Sequence, residues 1–326
     1  MPVSAQVSAS LRLPDFVQLH HEDQADVRAE LLQGLLATPA FTSPKYLYDA
    51  LGSKLFEAIT ELPEYYPSRT EAAIFEAHAA AMAALLPAGA TLVDLGAGNC
   101  EKAARLFPVF RPQRYVAVDI SVEFLRKSLG SLQAQFPALA MLGVGMDFSS
   151  SLTLPPQAGT GPRVLFYPGS SIGNFTPDQA LTFLRQARAA CNGGGLLIGV
   201  DLVKPAEVLE PAYDDELGVT AAFNRNLLPH LNQLMGTDFR LADWQHVAFF
   251  NTGKSRIEMH LQALQPLRVC WPGGERRFAK GERLHTENSY KWRQADFAAL
   301  LKTAGFTQTP AWTDERGWFA VFWAQA

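Results

Sequence analysis

The sequence predicts an α/β protein in which a doubly wound, largely parallel sheet is joined by a second, smaller α+β unit. Three observations predict it. Near-continuous apolar runs alternate with amphipathic helical stretches through the middle of the chain, as strands buried on both faces require. The first of these runs ends in a glycine turn that opens a helix. After Val203 the pattern changes to runs that alternate more like antiparallel strands.

Taken in order, Ser68 and Glu71 have capping-box spacing, and the Ala-rich segment that follows to Leu86 reads as a packing helix entering the sheet. Thr91 to Leu95 is the first strand, followed by a helix through Lys102 to Leu106. Tyr115 to Ile120 is the second, followed by a helix from about Ser121 to Gln135 with Phe124, Leu125, Leu129 and Leu132 on one side. Leu139 to Val144, Val164 to Tyr167 and Leu196 to Val200 are the third, fourth and fifth, and helical sequence from Pro177 to Ala190 joins the last two. Beyond them come a helix from about Asp215 to Leu234, strands near His246 to Phe250, Arg256 to Leu264 and Leu267 to Trp271, and a turn at Pro272-Gly273-Gly274. A helix near Gln294 to Ala304 and two runs, Thr307 to Trp312 and Trp318 to Trp323, are expected to close the first sheet as an antiparallel edge pair. The division that follows places residues 1–65 and 204–287 in the smaller unit and residues 66–203 and 288–326 in the larger.

At 326 residues the chain is long enough to bury roughly three quarters of its unfolded surface, which excludes a small stapled scaffold. Twenty-eight basic against 32 acidic residues give a net charge of −4, so there is no global attraction to nucleic acid or anionic lipid. Cys100, Cys191 and Cys270 form no CxxC pair, and a reducing compartment fits them best. Asp15, Glu22 and Asp23 stand where a secretory signal would be basic and then apolar, and no run approaches a membrane span. A cytoplasmic protein without nucleic-acid or membrane partners is expected, and a monomer.

Val93-Asp94-Leu95-Gly96-Ala97-Gly98 is a strand-turn-helix glycine turn, where the backbone admits a ligand closely. Glu101 occupies the place of the third glycine of the dinucleotide fingerprint, and an acid at that helix start opposes a pyrophosphate. The turn therefore favours S-adenosylmethionine (SAM) over a dinucleotide. Asp119 ends the second strand where an acid accepts hydrogen bonds from ribose hydroxyls, in an NAD site as much as in a SAM site. Asp147-Phe148 offers a polar group and an aromatic face for an adenine, or a turn residue beside a core phenylalanine. Tyr167 to Phe175 follows the fourth strand at the ligand-binding edge of the sheet, with Asn174 either facing the reacting atom or capping the next helix. Gly193-Gly194-Gly195 reads as a structural turn. Histidines 20, 21, 78, 230, 246, 260 and 285 include no pair at metal-ligand spacing with a third partner, so no metal is expected. Nucleophile-elbow and Walker motifs are absent, which argues against hydrolase and kinase chemistry.

Several stretches together resemble one family, the histidine-specific Nα-methyltransferases of ergothioneine biosynthesis. They are Tyr48-Asp49-Ala50-Leu51-Gly52-Ser53, Leu62-Pro63-Glu64-Tyr65-Tyr66-Pro67, Phe166 to Phe175, Asp201-Leu202-Val203-Lys204, Ala212-Tyr213-Asp214-Asp215, Phe223-Asn224-Arg225-Asn226, Arg256-Ile257-Glu258-Met259 and Thr286-Glu287-Asn288-Ser289. The likeness covers nearly all of the chain after about residue 40 and both units. It implies a Rossmann-like class I SAM-dependent methyltransferase domain with its substrate pocket roofed by the second domain. By resemblance, Asn174 and Tyr213 hold the substrate carboxylate, Glu287 and Ser289 bond the imidazole with Met259 and Tyr65 nearby, Tyr48 and Phe56 shape the space around the α-amino group, and Gly169 is a further substrate-binding residue. Tyr48, Asn174 and Tyr213 are thereby expected at the reacting centre. Gly96, Gly98, Lys102, Asp119, Asp147 and Phe148 are the expected cofactor residues. Asn99-Cys100 departs from the family, which often has small hydroxyl residues there. The implied reaction methylates the α-amino group of L-histidine three times, giving hercynine. The competing readings are a methyltransferase for another aromatic amino acid, an NAD-dependent oxidoreductase and a non-catalytic SAM-binding subunit.

Overall fold

In the computed structural model, the described residues are 13–19 and 23–326; His20, His21 and Glu22 lie outside them. The chain begins with β1 (Asp15–Gln18), α1 (Gln24–Leu36), β2 (Ala40–Phe41), α2 (Ala50–Thr60) and α3 (Tyr66–Ala83). The apolar runs follow as β3 (Thr91–Leu95), α4 (Glu101–Phe110), β4 (Arg114–Asp119), α5 (Val122–Gln135), β5 (Ala140–Gly145), β6 (Arg163–Tyr167), α6 (Pro177–Ala190) and β7 (Gly195–Asp201). After them come α7 (Ala206–Leu209), α8 (Val219–Met235), β8 (Trp244–Asn251), β9 (Arg256–Ala263), β10 (Leu267–Trp271), β11 (Gly274–Phe278) and β12 (Arg283–Tyr290). The chain closes with α9 (Gln294–Thr303), β13 (Ala311–Thr313) and β14 (Phe319–Gln325).

The large sheet has the order β1-β5-β4-β3-β6-β7-β14-β13, parallel as far as β7 and antiparallel across its last pairs. Every residue of β3 and β7 is buried, because α3, α4 and α5 cover one face and α6 and α9 the other. The edge pair falls where expected, but β13 is only three residues long. Pro310 has no N–H to give a ladder and stands just before it. The strand order reverses at β3 and β6, so the crevice at their carboxyl ends is the natural ligand site.

The second sheet, β2-β12-β9-β8, packs against α1, α2 and α8 over its own core of Leu31, Leu35, Leu227, Leu231, Met259 and Leu261. Two features correct the expected division. β1 lies in the large sheet, where it pairs with the open edge of β5, so the first segment does not belong wholly to the smaller unit. β12 pairs with β9 without interruption past Asn288 to Tyr290, so the change of sheet falls after residue 290 and not at 287.

Local sequence explains several boundaries. Thr176 and Gln179 form the capping box of α6, which relieves Asn174 of that role. The Asp215 carboxylate accepts from the N–H groups of Val219 and Thr220, so α8 starts four residues later than its polar sequence suggests. Ser68 and Glu71 are not a cap: α3 begins at Tyr66, with Pro67 in its first turn and no side-chain cap, leaving Glu71 inside the helix.

Candidate active site

A cleft of about 1820 Å³ opens at the carboxyl ends of β3, β4 and β6, and an inner chamber of about 50 Å³ lies beneath the second sheet beside it. Gly96, Gly98, Lys102, Asp119, Asp147 and Phe148 all line the cleft. Tyr48, Phe56, Tyr65, Gly169, Asn174, Tyr213, Met259, Glu287 and Ser289 all line the chamber.

On the cleft side the chain turns through Gly96 (φ +72°) and Gly98 (φ +52°), left-handed positions that suit glycine; Cys100, at φ +63°, shares that conformation while fully buried. Asp119 accepts from Gly98 N–H at 2.9 Å with one oxygen and from Ser121 N–H at 2.8 Å with the other. Burial raises its pKa, opposed by those backbone donors. Each oxygen keeps a lone pair for a further donor, so the carboxylate fits a ribose diol. Phe148 stands edge-on to Tyr167 at 5.7 Å, and Gly96 approaches its ring. Lys45 reaches over from the second unit, 2.7 Å from Glu30 and 3.9 Å from Asp147.

Glu71 is a cleft residue that sequence reasoning placed in packing alone. It is 1% exposed, pairs with Lys102 at 2.8 Å and accepts Gly169 N–H at 2.7 Å. It therefore ties the cofactor cleft to the loop that lines the chamber.

The chamber wall is aromatic on one side. Tyr48 meets Phe56 and Phe223 at 5.4 Å each, Phe56 meets Tyr65 at 6.2 Å, and Tyr65 meets Tyr213 at 6.3 Å. Burial drives the phenols of Tyr48, Tyr65 and Tyr213 well above their ordinary pKa, so all three keep their protons at neutral pH. Tyr213 is held from behind: its carbonyl bonds His246, which in turn bonds Asn224 of α8.

The opposite wall is polar and comes from β12. A register shift between His285 and Glu287 makes Thr286 the extra residue, so Leu284 faces the core before the bulge while Glu287 and Ser289 face inward after it. Among the described residues, Glu287 Oε2 is buried without a hydrogen-bond partner. Burial raises its carboxyl to about 7, with Lys291 pulling the other way. Thr220 Oγ1, also buried and unpartnered, lines the same chamber.

Sequence reasoning assigned no role to the charges beneath. Lys291 bonds Asp201 at 2.7 Å, Ser289 at 2.8 Å and Tyr213 at 2.9 Å. Asp201 also takes Tyr66 O–H at 2.6 Å and Lys204 at 2.5 Å. Burial would push Asp201 up, but the two lysines hold it below the usual carboxylate value; burial brings Lys204 down to about 8. Lys291 sits two residues past Ser289 on the same alternation, a signal that was available in the sequence.

Glu258, His260 and His285 offer donor atoms within 4.8 Å of one another, a grouping that sequence spacing did not show. Arg256 already bonds Glu258, at 2.6 Å and 2.8 Å, and the two imidazoles stack at 4.8 Å rather than converge. The chemistry there is that of a polar network on the sheet's outer face. All three cysteines are free, and no described helix is long and apolar enough to cross a membrane.

Residues 27–326 match the family described as histidine-specific methyltransferase, SAM-dependent. A histidine N-alpha-methyltransferase of Mycolicibacterium smegmatis is 42% identical over 302 residues, covering 90% of this chain and 93% of that one. A protein of the same name from Mycobacterium tuberculosis is 39% identical over the same shares. Ergothioneine biosynthesis protein 1 of Neurospora crassa is 32% identical over 82% of this chain and 31% of its own length.

Proposed function

Because the chain belongs to the histidine-specific, SAM-dependent methyltransferase family, we propose that it methylates the α-amino nitrogen of L-histidine, three times in succession, to give hercynine. The observation that carries this reading is the buried, unpartnered Glu287 oxygen beside the Tyr213–Ser289 hydroxyl pair, in a chamber otherwise walled by aromatic rings. Such a wall suits a substrate with both a carboxylate and a nitrogen ring, and rejects side chains that leave its polar atoms unpaired.

Bound SAM supplies an electrophilic methyl group. Asp119 is assigned to its ribose, Asp147 and Phe148 to its adenine, and Lys102, with Gly96 and Gly98, to the rest of the molecule at the cleft wall. Asn174 and Tyr213 take the substrate carboxylate, and Glu287 and Ser289 the imidazole, so the substrate is held at both ends and its amine is fixed between them. Met259 packs beside the ring, and Gly169 faces the amine from the loop that Glu71 anchors.

Positioning of this kind does most of the catalytic work in an in-line displacement. The amine must enter neutral, because an ammonium has no lone pair. Tyr48 and Tyr65 keep their own protons, so they orient the amine through hydrogen bonds rather than remove a proton from it. Tyr48, Phe56 and Tyr65 also surround the growing ammonium with aromatic rings, which favours a quaternary product.

The ergothioneine connection is supported by the name of the Neurospora relative. A cytoplasmic monomer without nucleic-acid or membrane partners belongs to the same reading. Mass spectrometry of the protein incubated with SAM and the twenty amino acids tests it. Histidine alone should gain one, two and then three methyl groups; methylation of another amino acid in preference overturns the assignment.

A further inference from the structure

We propose that Lys291 is a positioning residue, which keeps the one unshared proton of the Tyr213–Ser289 hydroxyl pair turned to the chamber without touching the substrate. The inference rests on the reading above, in which those hydroxyls face the carboxylate and the ring.

An ammonium has three N–H donors and no acceptor. All three of Lys291 are spent, on Asp201 at 2.7 Å, Ser289 Oγ at 2.8 Å and Tyr213 OH at 2.9 Å. Neither hydroxyl can therefore give its proton to Lys291. Tyr213 and Ser289 are 2.8 Å apart, so one hydroxyl proton is used between them. The other is left over and has only the chamber to face. The pair thus offers the substrate a single donor on one hydroxyl and a single remaining lone pair on the other. When Tyr213 gives its proton to the carboxylate, Ser289 gives its own to Tyr213 and keeps a lone pair for a ring N–H.

The anchor is rigid. Asp201 is the last residue of β7, is 1% exposed, and is held by Lys204, by Tyr66 and, through its backbone N–H, by Ser170 at 2.8 Å. The proton pattern of a pocket under the second sheet is thereby set from the first. Without Lys291, each hydroxyl would regain a lone pair and the vacated Asp201 oxygen would compete for their protons, so the proton now left to the chamber could turn away from it. Asp201 would still keep Lys204 and Tyr66, so its charge would not be orphaned.

A double-mutant cycle on the intact chain tests this, with kcat/KM for histidine and SAM affinity by calorimetry as readouts. Lys291→Met should lower kcat/KM about 10- to 100-fold, the range for charge-assisted bonds, and leave SAM affinity within about 3-fold. In a Tyr213→Phe, Ser289→Ala background the same substitution should cost less than about 3-fold, because its targets are gone. Losses that multiply in that background, or a Lys291→Met enzyme with wild-type kcat/KM, overturn the proposal. If the methionine variant does not fold, Lys291→Gln takes its place in the cycle with the same outcomes. Wild-type turnover of histidine, measured first, tests the underlying reading separately.

Discussion

At the scale of single residues, the chamber is built around a carboxyl group that water would keep ionised. Glu287 has no hydrogen-bond partner for one oxygen, and burial lifts its pKa from 4.5 to about 7. The folded chain therefore holds a proton that the unfolded chain has lost, so this group's contribution to stability is complete below about pH 4.5 and disappears as pH rises through about 7. Replacing Glu287 with Gln removes the titration. The variant's stability advantage over wild type should grow by roughly 3 kcal/mol between pH 4.5 and 8, measured by denaturant unfolding, and saturating histidine should narrow it. A constant gap across that range contradicts the assignment. Asp119 gives a second test on the cofactor side. Its two oxygens already hold the turn through Gly98 and Ser121, so Asp119→Ala should weaken SAM binding by about 1.5–3 kcal/mol, and unchanged affinity in a folded variant rules out the ribose contact.

At the scale of elements, Glu71 shows how a helix and a strand cooperate to place one charge. The carboxylate projects from the middle of α3 toward β7, where Gly199 leaves the space it needs: a β-carbon there would lie 2.1 Å from Glu71 Oε1 and 3.0 Å from the Phe319 ring. Gly199→Ala should push Glu71 off Gly169 and Lys102, cost about 1–3 kcal/mol in thermal unfolding and weaken SAM binding. Wild-type SAM affinity in that variant would show that Lys102 does not depend on the pair. The same elements mark what was legible in the sequence. The strand runs at Thr91, Val164 and Leu196 and the α6 helix were visible, because strands buried on both faces and capped amphipathic helices carry their own periods. The candidate cleft and chamber residues were named through motif likeness, and they fall together in space. Period alone does not reach them. Strict alternation from Leu284 turns Glu287 away from the core, and only the bulge at Thr286 brings it back. Glu71 was hidden by a spacing that mimics a cap, and the pairing of Asp201 with Lys291 because 90 residues separate them, although Lys291 shares the alternation of Ser289. β1 was missed because a short strand that joins an existing edge needs no periodicity of its own.

At the scale of the whole molecule, the cleft and the chamber are two ends of one space. Tyr48, Phe56, Tyr65, Gly169, Ser171, Asn174 and Glu287 line both, so a ligand in either dries part of the other's wall. The walls also come from both units: Asn174 and Gly169 follow β6, Glu287 and Ser289 lie on β12, and Lys45 reaches from the second unit toward Asp147. Filling the cleft strengthens polar contacts in the chamber by excluding water from them. S-adenosylhomocysteine, which occupies the cleft without donating a methyl group, should therefore tighten histidine binding by about 5-fold or more, a coupling of about 1 kcal/mol. Linkage requires the reverse to hold by the same factor. Calorimetric titration of histidine into the free protein and into its S-adenosylhomocysteine complex, with the converse titrations, measures both. Equal histidine affinities in the two titrations would mean that the shared walls transmit nothing, and that the two ligands are held by independent units that happen to adjoin.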